Sequence, residues 1–312
     1  MVMSIFKFCF GLCLLSYSAD LLINNSKKIA KIFNISNVVI GVTIVAFGTS
    51  LPELVVSIIA ALDNEQSLIV GNIIGSNIAN IGLVLGVSAF LSPFKIESTQ
   101  ELNFNFFYVL ISSLLFSFLL IYYQMHYLSG ILFLIILAIY FYLLFKYDFD
   151  YEEEENSLIT YDVNKFTLFF LIVVGCFGIS YGSNLFIEGS IDIADFLGYD
   201  NIFIGMTFVA IGTSLPELVT SLVAIVKNER NIAIGNIIGS NIINILLVGG
   251  TSSLICSLDI HNIQLLYPHL FIMVFLVFLL IVISIFKIKI SRLISSFLIV
   301  IYLIFLYINF LK

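Results

Sequence analysis

The sequence predicts an all-α polytopic membrane protein, with ten transmembrane helices arranged as two inverted five-helix repeats. Three observations carry this reading. The 312-residue chain is 61% hydrophobic and 11% charged, with a mean hydropathy of +1.14, more apolar surface than a soluble domain of this length could bury. Its apolar runs, separated by polar breaks, number ten. The hexapeptide Gly48-Thr49-Ser50-Leu51-Pro52-Glu53 returns letter for letter as Gly212-Thr213-Ser214-Leu215-Pro216-Glu217, 164 residues later.

The first run, near residues 5–23, has Lys7 near its start ahead of an apolar stretch and could be taken for a signal peptide. Self-similarity argues that it belongs to the folded protein. Ser16-Tyr17, Leu21, Ile23 and Ser26 return as Ser180-Tyr181, Leu185, Ile187 and Ser190 at the same offset, so the first run is the counterpart of the sixth. Runs near 38–62, 68–91, 104–124 and 127–145 complete the first half. A polar linker over 146–165 follows, and then runs near 166–187, 201–226, 232–257, 267–286 and 292–311. Thr43 to Ser57 matches Thr207 to Ser221 at twelve of fifteen positions, and Gly71 to Ile78 recurs unchanged as Gly235 to Ile242. The expected organisation is a first repeat over 1–145, an acidic cytoplasmic linker over 146–165 and a second repeat over 166–312.

Five spans per repeat is an odd number, so the halves must cross the membrane in opposite senses. Charge gives an independent test. Segments after spans one, three, five, seven and nine hold Lys27, Lys28, Lys31, Lys95, Lys146, Lys165, Lys227, Arg230, Lys287, Lys289 and Arg292, eleven of the thirteen basic residues. The positive-inside tendency makes that face cytoplasmic and puts both termini outside. Equivalent loops also exchange sign: Lys28 and Lys31 align with Asp192 and Asp195, and Asp63 aligns with Lys227.

A glutamate inside a membrane span costs between a few and about 10 kcal/mol, so Glu53 and Glu217 are read first as functional, with a buried structural acid as the alternative. Pro52 cannot donate to the carbonyl of Gly48, which makes carbonyls near Ala46, Phe47 and Gly48 available as ligands. Ala46, Thr49 and Glu53 share one helix face, offering a carbonyl, a hydroxyl and a carboxylate. Such an all-oxygen surface suits Na⁺ or Ca²⁺. In the third run Asn72, Ser76 and Asn80 form a polar stripe beside Gly71 and Gly75, repeated at Asn236, Ser240 and Asn244. A packing seam of small residues is the alternative there. Inverted repeats place equivalent residues about a pseudo-twofold axis near the midplane, so one carboxylate from each half is expected at a single site, where protons are natural competitors.

These paired motifs resemble the two α-repeats of the cation/calcium antiporter superfamily, and within it the prokaryotic sodium/calcium exchangers. The resemblance covers essentially the whole chain. It implies a secondary antiporter that exchanges Na⁺ for Ca²⁺ across the plasma membrane by alternating access. It also implies that the first and sixth spans slide past an ion-binding core. The implied ion-lining set is Ala46, Thr49, Ser50, Glu53, Ser76, Asn80, Ala210, Thr213, Ser214, Glu217, Ser240 and Asn244. Glu53 and Glu217 would be the shared calcium ligands. One departure stands out: archaeal exchangers of this type carry an aspartate at the position of Asn244. With two carboxylates and no third, one Ca²⁺ leaves the site neutral and three Na⁺ leave it at +1.

The alternatives are an antiporter on the same fold that exchanges Ca²⁺, or another cation, for H⁺ and, less favoured, a passive cation channel. An enzyme finds no support. Cys9, Cys13, Cys176 and Cys256 lie in apolar runs, His126, His261 and His269 lie in or near expected loops, and neither an HExxH motif nor a serine–histidine pair sits at mid-membrane depth. With no Gly-Lys-Ser/Thr loop, direct driving by ATP is not expected. The run Glu152-Glu153-Glu154-Glu155, with Asp148, Asp150 and Asp162, lacks the glycine turn and ligand alternation of an EF-hand and reads as a solvated linker. Expected partners are the transported ions and the lipid bilayer, with no cofactor, no nucleic acid and no obligate protein partner.

Overall fold

A computed structural model of the chain describes residues 1–96, 99–146, 164–196, 212–260 and 263–310. It is nearly all helical. In chain order the helices are α1 (Val2–Phe33), α2 (Asn37–Thr49), α3 (Leu51–Leu62), α4 (Gln66–Leu91), α5 (Gln100–Tyr122), α6 (Tyr127–Lys146), α7 (Lys165–Phe196), α8 (Leu215–Val226), α9 (Arg230–Ile255), α10 (Ile263–Ile285) and α11 (Arg292–Phe310). An antiparallel ribbon of two-residue strands, β1 (Phe94–Lys95) and β2 (Lys289–Ile290), is the one sheet among the described residues. It is a small departure from an all-α expectation.

Seven of the helices are long and apolar enough to cross a membrane, and an eighth if α2 and α3 count as one bent span. The sequence-based count of ten exceeds this for identifiable reasons. Residues 201–211, the expected start of the seventh span, lie outside the described residues, which leaves α8 with 12 residues. The apolar stretch Arg292–Ile308 of α11 is also a shorter helix.

Two boundaries differ from expectation. The first and sixth runs, expected near 5–23 and 166–187, continue as helices of 32 residues each, to Phe33 and Phe196. Lys27, Lys28 and Lys31 are therefore helical and not in a loop. No proline or glycine interrupts residues 24–33, and Asn25 and Ser26 are buried, so the helix runs on past the apolar window until Asn34 ends it at φ 50°. At 1.5 Å per residue such a helix is roughly 48 Å long, more than a hydrocarbon core requires.

Helices α1 and α7 pack along one another. A Cβ added at Gly11 would lie 2.8 Å from the Gly182 carbonyl oxygen, so this approach of backbones needs glycine. Lys7 joins Glu188 of α7 at 3.1 Å near one end of α1. Toward the other end Lys27 pairs with Glu229, and Lys227 pairs with Asp20, tying α1 to the turn between α8 and α9.

The centre belongs to α4 and α9. The most apolar stretch of α9 is 94% buried and that of α4 72%, against 33% for α6. Helix α11 packs on α4, and α6 packs on α9. The α3–α4 and α8–α9 turns share one geometry. Asn64 and Asn228 hold φ 59° and 61°, and the N–H groups of Glu65 and Glu229 reach the carbonyls of Ala60 and Ala224, both at 2.8 Å.

Candidate cation site

The site begins at a break. The axes of α2 and α3 differ by 47° around Ser50, whose φ and ψ are −87° and 6°. Pro52 stands in the first turn of α3, where its missing N–H costs least, and it has nothing to offer the Gly48 carbonyl. Ser214 repeats the conformation at −91° and 5° ahead of Pro216. Glu53 and Glu217 thus fall in the first turns of α3 and α8, where the positive end of the helix dipole favours a carboxylate.

Close helix crossing then assembles the walls. A Cβ at Gly41 would sit 2.6 Å from the Ile232 carbonyl, and one at Gly235 would sit 2.6 Å from the Val38 carbonyl, so α2 and α9 meet backbone to backbone. That approach delivers Thr49 into the polar stripe of α9. Thr49 Oγ1 lies 3.0 Å from Asn236 Oδ1, 3.3 Å from Ser240 Oγ and 3.2 Å from the Ala46 carbonyl. Ser50 Oγ donates to Glu217 Oε1 at 3.1 Å. Helix α3 packs against Asn244–Val248 of α9, and α8 packs against Asn80–Leu85 of α4. Each glutamate-bearing helix therefore faces the asparagine-bearing segment of the other half.

Those two segments, and Gly41–Val45 in α2, are widened i→i+5 turns. Asn80 and Asn244 open the widened turns of their respective helices. Single turns of this kind are costly and concentrate at functional positions. Nothing in the apolar periodicity announces them.

Of the twelve residues expected to line the site, Ala46, Thr49, Ser50, Glu53, Ser76, Asn80, Ser214, Glu217, Ser240 and Asn244 are buried. Thr213 is half-buried, and Ala210 lies outside the described residues. Thr49, Ser240 and the Ala46 carbonyl come together, as do Ser50 and Glu217. Asn236, which sequence reasoning placed on the stripe, receives a second role: its amide donates to Ser221 Oγ at 3.0 Å, tying α9 to α8. Its counterpart Asn72 ties α4 to α3 through Ser57 Oγ at 2.9 Å and the Glu53 carbonyl at 3.1 Å. Asn77 and Asn241 belong to the recurring motif but lie off the polar stripe, so spacing gives them no role, yet Asn241 Oδ1 accepts from Asn80 Nδ2 at 3.0 Å.

The polar atoms left over identify what the cluster suits. Both carboxylate oxygens of Glu53, Glu217 Oε2, Ser76 Oγ, Ser214 Oγ, Asn80 Oδ1 and both amide atoms of Asn244 are buried without a hydrogen-bond partner. An unpaired buried polar atom costs about 1–3 kcal/mol, and an unpaired charge more. All but one of these atoms are oxygens, the donor set of a hard cation. No group of three or more His, Cys, Asp or Glu able to hold a metal occurs among the described residues, so the carboxylate charge here comes from the glutamate pair.

Comparison with known proteins gives one answer from family, relatives and structure. The family model described as sodium/calcium exchanger protein matches residues 3–146 and 167–311. An uncharacterized membrane protein of Methanocaldococcus jannaschii is 37% identical over 268 residues, covering 85% of this chain and 86% of that one. The sodium/calcium exchanger MaX1 of Methanosarcina acetivorans is 34% identical, with coverage of 88% and 89%. A solved structure of the sodium-calcium exchanger NCX_Mj, soaked with 2.5 mM Na⁺ and 1 mM Sr²⁺, superposes with a TM-score of 0.84 at 34% identity over 97% of both chains.

Proposed function

The chain belongs to the sodium/calcium exchanger family, and as a multi-pass membrane antiporter of that kind we propose that it exchanges Na⁺ for Ca²⁺ by alternating access at one central site shared by Glu53 and Glu217. The observation that carries this is the Ser50–Glu217 contact at 3.1 Å, which joins the break between α2 and α3 to the first turn of α8, with three of the four carboxylate oxygens left without partners. A Ca²⁺ between the glutamates neutralises them. The hydroxyls of Thr49, Ser50, Ser76, Thr213, Ser214 and Ser240, the carbonyls of Ala46 and Ala210, and the amide oxygens of Asn80 and Asn244 complete that position and the flanking sodium positions.

In this reading the chain spans the membrane ten times as two inverted repeats, 1–145 and 166–312, joined by the acidic segment 146–165. Both termini are outside, and the basic segments face the cytoplasm. Helices α1 and α7 form the moving pair. Their contact through Gly11 and Gly182 supports joint motion, and the links from Lys27 to Glu229 and from Asp20 to Lys227 fasten one end of α1 to the core on the basic face. If three Na⁺ bind in exchange for one Ca²⁺, the cycle is electrogenic.

The test is radioactive calcium uptake into proteoliposomes loaded with Na⁺ and diluted into Na⁺-free buffer, in parallel at two clamped potentials. Uptake that requires the outward Na⁺ gradient and responds to voltage is the expected result. Uptake that ignores Na⁺ and follows a pH gradient makes the protein a proton-coupled antiporter.

A further inference from the structure

Helices α4 and α9 meet at an amide pair, where Asn80 Nδ2 donates to Asn241 Oδ1 at 3.0 Å. Both residues are buried, at 0% and 1% exposure. A carboxamide has two unlike ends, and only its oxygen can bind a cation. With its NH₂ group given to Asn241, Asn80 turns its Oδ1 the other way, and that oxygen has no hydrogen-bond partner.

The other half provides an internal comparison. At the 164-residue offset Asn80 corresponds to Asn244 and Asn241 to Asn77, so the equivalent contact would join Asn244 Nδ2 to Asn77 Oδ1. That contact is not made. Asn77 Oδ1 and both amide atoms of Asn244 have no partner, and Asn77 Nδ2 donates to the Ile73 carbonyl of its own helix at 2.7 Å. The same residues thus orient one site amide and leave the other unpinned.

We propose that Asn241 is a positioning residue that holds Asn80 with its carbonyl oxygen, and not its NH₂ group, presented to the transported cation. The assignment rests on reading the buried oxygen cluster as a cation site. Without the acceptor at 241 the Asn80 amide is free to turn its positive NH₂ edge toward the ion, while its own donor loses the bond that holds it.

The experiment compares Asn241→Leu, similar in size with no acceptor, with Asn241→Asp, which keeps an acceptor in place. Asn77→Leu serves as the control, removing an amide that holds nothing across the halves. Equilibrium binding of radioactive calcium and sodium to the purified full-length protein is measured beside KM and kcat for sodium-driven calcium uptake. The expected result for Asn241→Leu is calcium binding weakened about tenfold, KM raised by the same factor and kcat within about threefold of the starting value. Asn241→Asp binds calcium at least as tightly as the unmodified protein, since the acceptor is kept and a negative charge is added, and Asn77→Leu changes binding by less than about twofold. Should Asn241→Leu fail to fold, Asn241→Ala is measured in its place, with the same expectation.

Binding unchanged in the variant lacking the acceptor overturns the assignment, as does an equal loss in all three variants, which is what a packing defect produces. The exchange reading fails separately. If the unmodified protein binds calcium but its uptake ignores Na⁺, coupling is wrong and Asn241 is still judged on binding. If it binds neither ion, both fall.

Discussion

Ser50 Oγ donates to Glu217 Oε1 at 3.1 Å, joining residues 167 positions apart in the chain. Both are buried, so the bond to a carboxylate is shielded from solvent. Bonds of this kind to charged groups contribute about 1.5–3 kcal/mol. Ser50→Ala should therefore weaken calcium binding about tenfold or more, read from a binding isotherm on purified protein. Unchanged affinity would remove Ser50 from the site.

Glu53→Gln and Glu217→Gln should each abolish calcium uptake. They should not lower the melting temperature in cation-free buffer. Each replaces a buried carboxylate bearing unpaired oxygens by a neutral amide, which relieves the cost of an uncompensated charge. Melting curves with and without Ca²⁺ test both parts, since stabilisation by Ca²⁺ should disappear in the variants while the cation-free transition stays or rises. Normal uptake by either variant would overturn the shared site.

Asn244→Asp adds a third carboxylate beside atoms that have no partners. With both glutamates ionised the proposed site carries −2, and a bound Ca²⁺ would neutralise it. Calcium self-exchange in the absence of Na⁺ should then be insensitive to voltage. In the variant the calcium-loaded site keeps one negative charge, so self-exchange should become voltage-dependent, and calcium affinity should rise about tenfold. Isotope exchange in voltage-clamped vesicles checks both expectations.

Gly235→Ala should separate α2 from α9. The new Cβ would lie 2.6 Å from the Val38 carbonyl and 2.9 Å from Gly41 Cα, backbone atoms that cannot rotate away. The expected cost is about 1–3 kcal/mol of stability, typical of overpacking, together with weaker sodium binding as Thr49 draws away from Ser240. Thermal melting and sodium binding report the two effects.

Much of the architecture was legible because hydropathy and recurrence are properties of the chain itself. The apolar runs marked the helices, and the repeated hexapeptide marked Glu53 and Glu217 as a pair. The offset of 164 also relates α3 to α8 and α4 to α9, residue for residue. Helix ends were less legible. The apolar window of the first run closes near residue 23, but the helix continues to Phe33, because burial of Asn25 and Ser26 against other helices replaces lipid contact. No hydropathy scale contains that information.

By itself the sequence determined the class of protein, the pairing of its two halves and the oxygen-bearing residues, since each follows from residue type and local spacing. Only the tertiary structure decided which residues meet. Thr49 Oγ1 meets Ser240 and not its own half's Ser76, Ser50 reaches Glu217, Asn236 and Asn72 tie neighbouring helices, and Asn80 donates to Asn241. Three of those contacts join residues more than 160 positions apart and the other two join residues 15 apart, through helix crossings as close as Gly41 on Gly235. Periodicity along one helix says which face a residue occupies, and the packing of helices against each other says what that face meets.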